Sequence, residues 1–128
     1  MLIPQVRLSS TGLFVRDLEK AVVFYSEALG LTIRRSFGSY VALDGGEGAS
    51  TLILSELPAD RTPDDVGRGV MKLVFFTTDA AETVRRIVDA GGQLVAEPTP
   101  RDGLPYVIGF ARDLDGQLLE LIENKVTD

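Results

Sequence analysis

Apolar and polar positions along this chain follow the same order twice. A β-compatible run from Arg7 to Val15 ends at Arg16 and Asp17, and Asp17 stands where a helix N-cap belongs. Leu18, Val22, Tyr25 and Leu29 then recur at helical spacing as far as Gly30, which is placed to end the helix. Lys20, not a glutamate, lies three residues after Asp17, so this is a simple cap and not a capping box. Three short strand-like runs follow, Leu31 to Phe37, Tyr40 to Leu43 and Ser50 to Leu54, with Gly38 and the Asp44 to Gly48 cluster supplying turns.

The segment 58–69 is polar, rich in proline and glycine and without periodicity, which predicts a linker. After it the order returns. Val70 to Thr77 reads as a strand and Asp79 repeats the cap. Ala80, Val84, Ile87, Val88 and Gly91 share a helical face, and Gly92 closes the helix. Gln93 to Ala96 predicts a strand, then a loop punctuated by Pro98, Pro100, Gly103 and Pro105. Tyr106 to Ala111 and Gln117 to Glu123 complete the unit. The interval from Asp17 to Gly30 equals that from Asp79 to Gly92, and Tyr40 to Leu54 equals Tyr106 to Glu120, which points to an internal repeat.

The predicted class is α+β: a single domain, 1–128, of two tandem βαβββ modules, about 7–57 and 70–124, joined by the linker 58–69. One short helix cannot cover both faces of a sheet, so the modules must share a core or pair with another chain. The expected result is two curved mixed sheets around a cleft that takes the ligand.

Composition narrows the function. At 128 residues, 45% hydrophobic and 25% charged, the chain fits one globular domain. Its longest apolar runs fall short of the roughly 20 residues that span a bilayer, so no membrane partner is expected. The start, MLIPQVRLSS, lacks a basic region followed by an apolar one, and there is no cysteine for a disulfide framework. A cytoplasmic protein is the plain expectation. The net charge of −6 argues against a nucleic-acid partner and tilts toward cationic ligands.

The candidate chemistry gathers at Phe110 to Glu123, FARDLDGQLLELIE, where Glu120 interrupts an apolar strand. An ionised carboxylate costs several kcal/mol to bury alone, so Glu120 must be paired, protonated, exposed or functional. Phe37, Tyr40, Tyr106 and Phe110 fall in strands expected to wall the cleft and are candidates for stacking on a flat ligand, with core or interface packing as the alternative. Phe24 and Tyr25 are assigned to the core. Phe75 and Phe76 alternate, so at most one of them lines the cleft. Asp113, Asp115 and Gly116 form a turn, since the remaining positions of a calcium loop are missing. Gly45, Gly46 and Gly48 form a hairpin connection, with no following Lys-Ser or Lys-Thr to make a phosphate loop.

With the repeat, GLFVRDLEKAVVFYSEALGL and RDLDGQLLELIE make the chain resemble the vicinal oxygen chelate superfamily, which includes glyoxalase I, bleomycin-resistance proteins, extradiol dioxygenases and methylmalonyl-CoA epimerases. The resemblance covers nearly the whole chain. In metal-dependent members four side chains, usually His, Gln or Glu, hold a divalent cation. Carried over by motif, those positions fall on Ser10, Leu54, Lys72 and Glu120. Only Glu120 is an ordinary ligand, and the sequence holds no histidine. With Lys72 so placed in the same repeat, either it forms an ion pair with Glu120, or it snorkels to water while Glu120 is partly wetted, or Glu120 is a general base. The resemblance therefore implies a lost metal site, no cofactor, and a homodimeric, metal-free protein of the bleomycin-resistance type that sequesters an aromatic or cationic natural product. Its ligand-binding residues would be Phe37, Tyr40, Lys72, Tyr106, Phe110 and Glu120. The competing expectation is a glyoxalase-like lyase, isomerase or epimerase with Glu120 as base or metal ligand.

Overall fold

The computed structural model describes residues 4–5, 9–62 and 70–125. The first module runs β1 (Ser10–Val15), α1 (Leu18–Val23), β2 (Thr32–Phe37), β3 (Tyr40–Asp44) and β4 (Thr51–Glu56). The second runs β5 (Leu73–Thr77), α2 (Ala80–Asp89), β6 (Gln93–Pro100), β7 (Tyr106–Arg112) and β8 (Leu118–Asn124). The sheets have matching orders, β1-β4-β3-β2 and β5-β8-β7-β6. In each, the first and last strands pair in parallel and the remaining neighbours are antiparallel. The expected α+β class and duplicated βαβββ order are therefore present. The parts of the predicted first strand and linker at 7–8 and 63–69 lie outside the described residues.

Both helices begin as the caps predict: Asp17 accepts from the Lys20 amide and Asp79 from the Glu82 amide. The first helix does not continue as a plain α-helix to Leu29. It widens into a π-helical turn over Phe24–Ala28, where the Ser26 hydroxyl donates to the Val22 and Val23 carbonyls. The widened turn buries the consecutive Phe24 and Tyr25 together with Ala28, and the two rings meet edge to face at 5.2 Å.

Pro98 and Pro100, expected in a loop, belong to β6. Proline is tolerated there because β6 is an edge strand, and its register with β7 slips between Ala96 and Thr99. Gly109 of β7 makes room for it: a Cβ at that position would lie 2.9 Å from Pro98 Cγ.

One core serves both modules. Leu13, Val15, Leu43, Leu52 and Leu54 of the first sheet join Phe24, Tyr25, Val84 and Ile87 of the helical layer and Ala111, Leu119 and Leu121 of the second. Fully burying a large apolar side chain contributes about 1.5–3 kcal/mol, so each module draws stability from residues of the other. The modules are also tied by polar contacts. Tyr25 donates to Asp113 Oδ2 at 2.6 Å, and the Arg16 amide donates to Asp115. Burial and the Asp113 carboxylate push the Tyr25 phenol well above its ordinary range.

Because the helices lie on the shared-core side, the opposite face of each sheet stays open. Phe37, Val74 and Phe76 are 48%, 49% and 82% exposed. The expected cleft between two concave faces is thus not closed within one chain, since the faces that meet in the core are the helix-bearing ones.

Candidate functional site

Strand register decides which side chains reach the open faces. In β8, Leu119 and Leu121 point into the core, while Glu120 lies on the other face beside Val74 of β5 and Phe110 of β7. Lys72, one step before β5, reaches the same face and binds Glu120, Nζ to Oε1 at 2.5 Å. Glu120 is the deeper partner, its side chain 10% exposed against 33% for Lys72. The carboxylate therefore meets an ammonium. Phe110 flanks the pair, and Tyr106 lies further along the same face of β7.

On the first sheet the open face carries Ser10 and Gly12 of β1, Thr51 and Ile53 of β4, and Tyr40 and Ala42 of β3. Phe37 pairs with Tyr40, with ring centroids 5.1 Å apart. Ser10, Tyr40, Thr51 and Ile53 line a hollow of about 270 Å³ that also contains Arg34 and Arg35. Lys72 lines a neighbouring hollow of about 340 Å³, and Thr51 lines both. The six expected ligand-binding residues are thus divided: Phe37 and Tyr40 on one sheet, and Lys72, Tyr106, Phe110 and Glu120 on the other.

Leu54 is not on either open face. It is fully buried in the core, and the first sheet's counterpart of Glu120 is Ile53. The β3–β4 hairpin is one residue longer than β7–β8: Asp44 pairs with Thr51 in one, Arg112 with Leu118 in the other. The equal spacing of Tyr40 to Leu54 and Tyr106 to Glu120 therefore misaligns the modules, and a one-residue slip turns a side chain to the opposite face. By register, Tyr40 corresponds to Ile108, not Tyr106.

The corrected set, Ser10, Ile53, Lys72 and Glu120, does not fit a divalent metal. Isoleucine has no donor atom, serine is a weak neutral one, and the only carboxylate is engaged by an ammonium. Among the described residues no cluster of three His, Cys, Asp or Glu side chains could replace it.

Sequence reasoning missed Arg34 and Arg35, whose signal is structural. The pairing of β2 with β3 shifts between Ile33 and Arg35, a bulge that alternation alone does not announce. It also missed that Tyr25 and Asp113, from the two stretches that suggested the family, bond to each other.

The family model described as Glyoxalase/Bleomycin resistance protein/Dioxygenase superfamily matches residues 7–121. The chain is 30% identical to the probable lactoylglutathione lyase of Vibrio parahaemolyticus, over 93% of this chain and 91% of the relative. It is 31% identical to the lactoylglutathione lyase of Salmonella typhimurium, over 94% of each. A glyoxalase-related enzyme from Fulvimarina pelagi superposes with a TM-score of 0.76 at 22% identity, over 94% of this chain and 89% of that one. These relatives overturn the expected bleomycin-resistance type of drug sequestration: curated proteins similar over more than nine-tenths of the chain are named as lyases. Among the described residues no helix is long and apolar enough to cross a membrane.

Proposed function

The chain belongs to the Glyoxalase/Bleomycin resistance protein/Dioxygenase superfamily, and on that premise we propose that it is a glyoxalase-type lyase acting on a 2-hydroxyacyl thioester. The observation that carries this is the full-length similarity, at about 30% identity, to proteins named lactoylglutathione lyase. The Lys72–Glu120 pair on an open sheet face supplies matching chemistry.

In a 2-hydroxyacyl thioester the carbon bearing the hydroxyl also bears a proton next to the thioester carbonyl. Glu120 takes that proton, and the C–H electron pair moves toward the carbonyl oxygen. The hydroxyl proton passes to that oxygen as the carbon that bore it becomes the ketone, and returning the abstracted proton to the former carbonyl carbon gives a hemithioacetal; its C–S bond then breaks, the thiol takes up the hydroxyl proton, and a 2-oxoaldehyde forms. A positioned base of this kind contributes about 10²–10⁴-fold. Lys72 holds the carboxylate in place and puts a positive charge beside the developing oxyanion. The donor set does not fit a metal, so the proton transfer rests on Glu120 and Lys72.

The same reading makes the active form a homodimer. Phe37, Val74 and Phe76 leave apolar surface on the open faces, and a second copy laid against them would exclude water from the pair.

Purified protein is assayed with S-lactoylglutathione by the loss of thioester absorbance, with the hemithioacetal used for the reverse direction. Turnover that falls at least 100-fold in Glu120→Gln, with folding intact, is expected. No turnover in either direction, with or without added zinc or nickel, sinks the lyase reading.

A further inference from the structure

We propose that Arg34 and Arg35 form an anion-binding subsite that holds a carboxylate-bearing part of the ligand, away from the Lys72–Glu120 pair. This deepens the lyase reading and rests on it for the identity of the ligand, though not for the existence of the subsite.

In a regular strand, Ile33 and Arg35 would share one face and Arg34 and Ser36 the other. Here Ile33 and Ser36 both line the helix-side groove with Leu18, Val22 and Val41. Arg34 and Arg35 both line the open-face hollow. The bulge between Ile33 and Arg35 accounts for this by adding one residue that β3 does not match, and bulges re-aim side chains in this way.

Each guanidinium is held by a neutral neighbour. Arg34 Nη1 donates to Thr51 Oγ1 at 3.3 Å, and Arg35 lies over the Phe37 ring, 5.8 Å from its centroid. Among the described residues neither forms an ion pair with a carboxylate, whereas Arg16, Lys72, Arg85 and Lys125 each do. In a chain of net charge −6, two adjacent, preorientated and unneutralised arginines are a local reversal of sign. Planar guanidinium groups present paired donors that match a carboxylate. Ser10 and Tyr40 add hydroxyls to the same hollow.

Thr51, which braces Arg34, also lines the hollow that contains Lys72. A ligand anchored by its carboxylate at the arginines can extend past Thr51 toward the proton-transferring pair.

The test measures binding, so it does not depend on turnover. S-hexylglutathione and its diethyl ester, in which the carboxylates are blocked, are titrated by calorimetry into the wild type, Arg34→Gln, Arg35→Gln and the double variant. β2 is an exposed edge strand, and circular dichroism checks that the variants fold. The free acid is expected to bind at least tenfold more tightly than the diester, and each arginine change to weaken it about tenfold, with a marked salt dependence.

If wild type and double variant bind the free acid alike, or the diester binds as well as the acid, the subsite is overturned while the lyase reading stands. A parallel NMR titration follows the arginine Nε–H signals with 2-naphthoate and with inorganic phosphate. If S-hexylglutathione fails to bind but naphthoate shifts Arg34 and Arg35, the subsite is supported and the glutathione-type substrate is not. A response to phosphate equal to that to naphthoate makes it a general anion site and overturns the carboxylate assignment. If neither anion shifts the arginines, the proposal is overturned outright.

Discussion

Replacing Lys72 by methionine removes the ammonium from Glu120 while keeping most of the apolar stem. Breaking a fully buried ion pair by deleting one partner costs about 3–5 kcal/mol, because the remaining charge is stranded. This pair is only partly buried: the Lys72 side chain is 33% exposed and that of Glu120 10% exposed. Water reaching the space left by the ammonium would solvate part of the carboxylate, which lowers the expected cost to about 1–2 kcal/mol.

The asymmetry of burial makes the prediction sharper. Glu120→Leu strands the ammonium instead, but Lys72 can swing toward solvent on its flexible stem, so that change should cost no more than about 0.5–1 kcal/mol. The double variant Lys72→Met/Glu120→Leu has no stranded charge and should recover most of the loss. Urea denaturation of the four proteins closes a double-mutant cycle, with unchanged m-values showing that the unfolding transition is comparable. Equal stability of Lys72→Met and wild type, or a larger loss in Glu120→Leu than in Lys72→Met, would refute the reasoning.

Tyr25→Phe deletes the hydroxyl that donates to Asp113 Oδ2 and should destabilise by about 1.5–3 kcal/mol in urea melts, the range for a hydrogen bond to a charged group; a loss below 0.5 kcal/mol would remove the latch between modules. Because the folded Tyr25 phenol stays protonated above its ordinary pKa near 10, the unfolded chain binds fewer protons at alkaline pH. Stability should thus fall as pH rises past about 10, and less steeply in Tyr25→Phe. Gly109→Ala would press on Pro98 and should cost about 1–3 kcal/mol by thermal or urea unfolding; no change would mean that β6 gives way freely. Phe76→Asp, on the open face, should shift sedimentation from dimer to monomer, and an unchanged dimer would show that this face is not the interface. Dialysis against a chelator should leave lyase turnover unchanged, and stoichiometric metal lost on Glu120→Gln would reverse the reading of the donor set.

What the sequence carried well was whatever depends on short-range chemistry. Asp17 and Asp79 cap their helices as their side chains require, and the duplicated strand-helix order follows from periodicity. What it carried poorly was register, since a hairpin longer by one residue leaves no mark in residue type yet exchanges the two faces of a strand. Leu54 enters the site positions by motif, in step with the equal spacing of the two hairpins, although its burial in the core belongs to its face and not to its count. Arg34 and Arg35 were invisible for a related reason, because a bulge sets two consecutive side chains on one face only when the partner strand is in place. Glu120 was found because a carboxylate in a run of leucines is costly wherever it points. Its partner follows from register again: Lys72 precedes β5, β5 lies parallel to β8, and the two charges meet on the face that the core leaves open. The helices bring the two sheets together on their inner sides, so the Lys72–Glu120 pair and the arginine hollow face outward, where a substrate or a second copy of the chain can reach both.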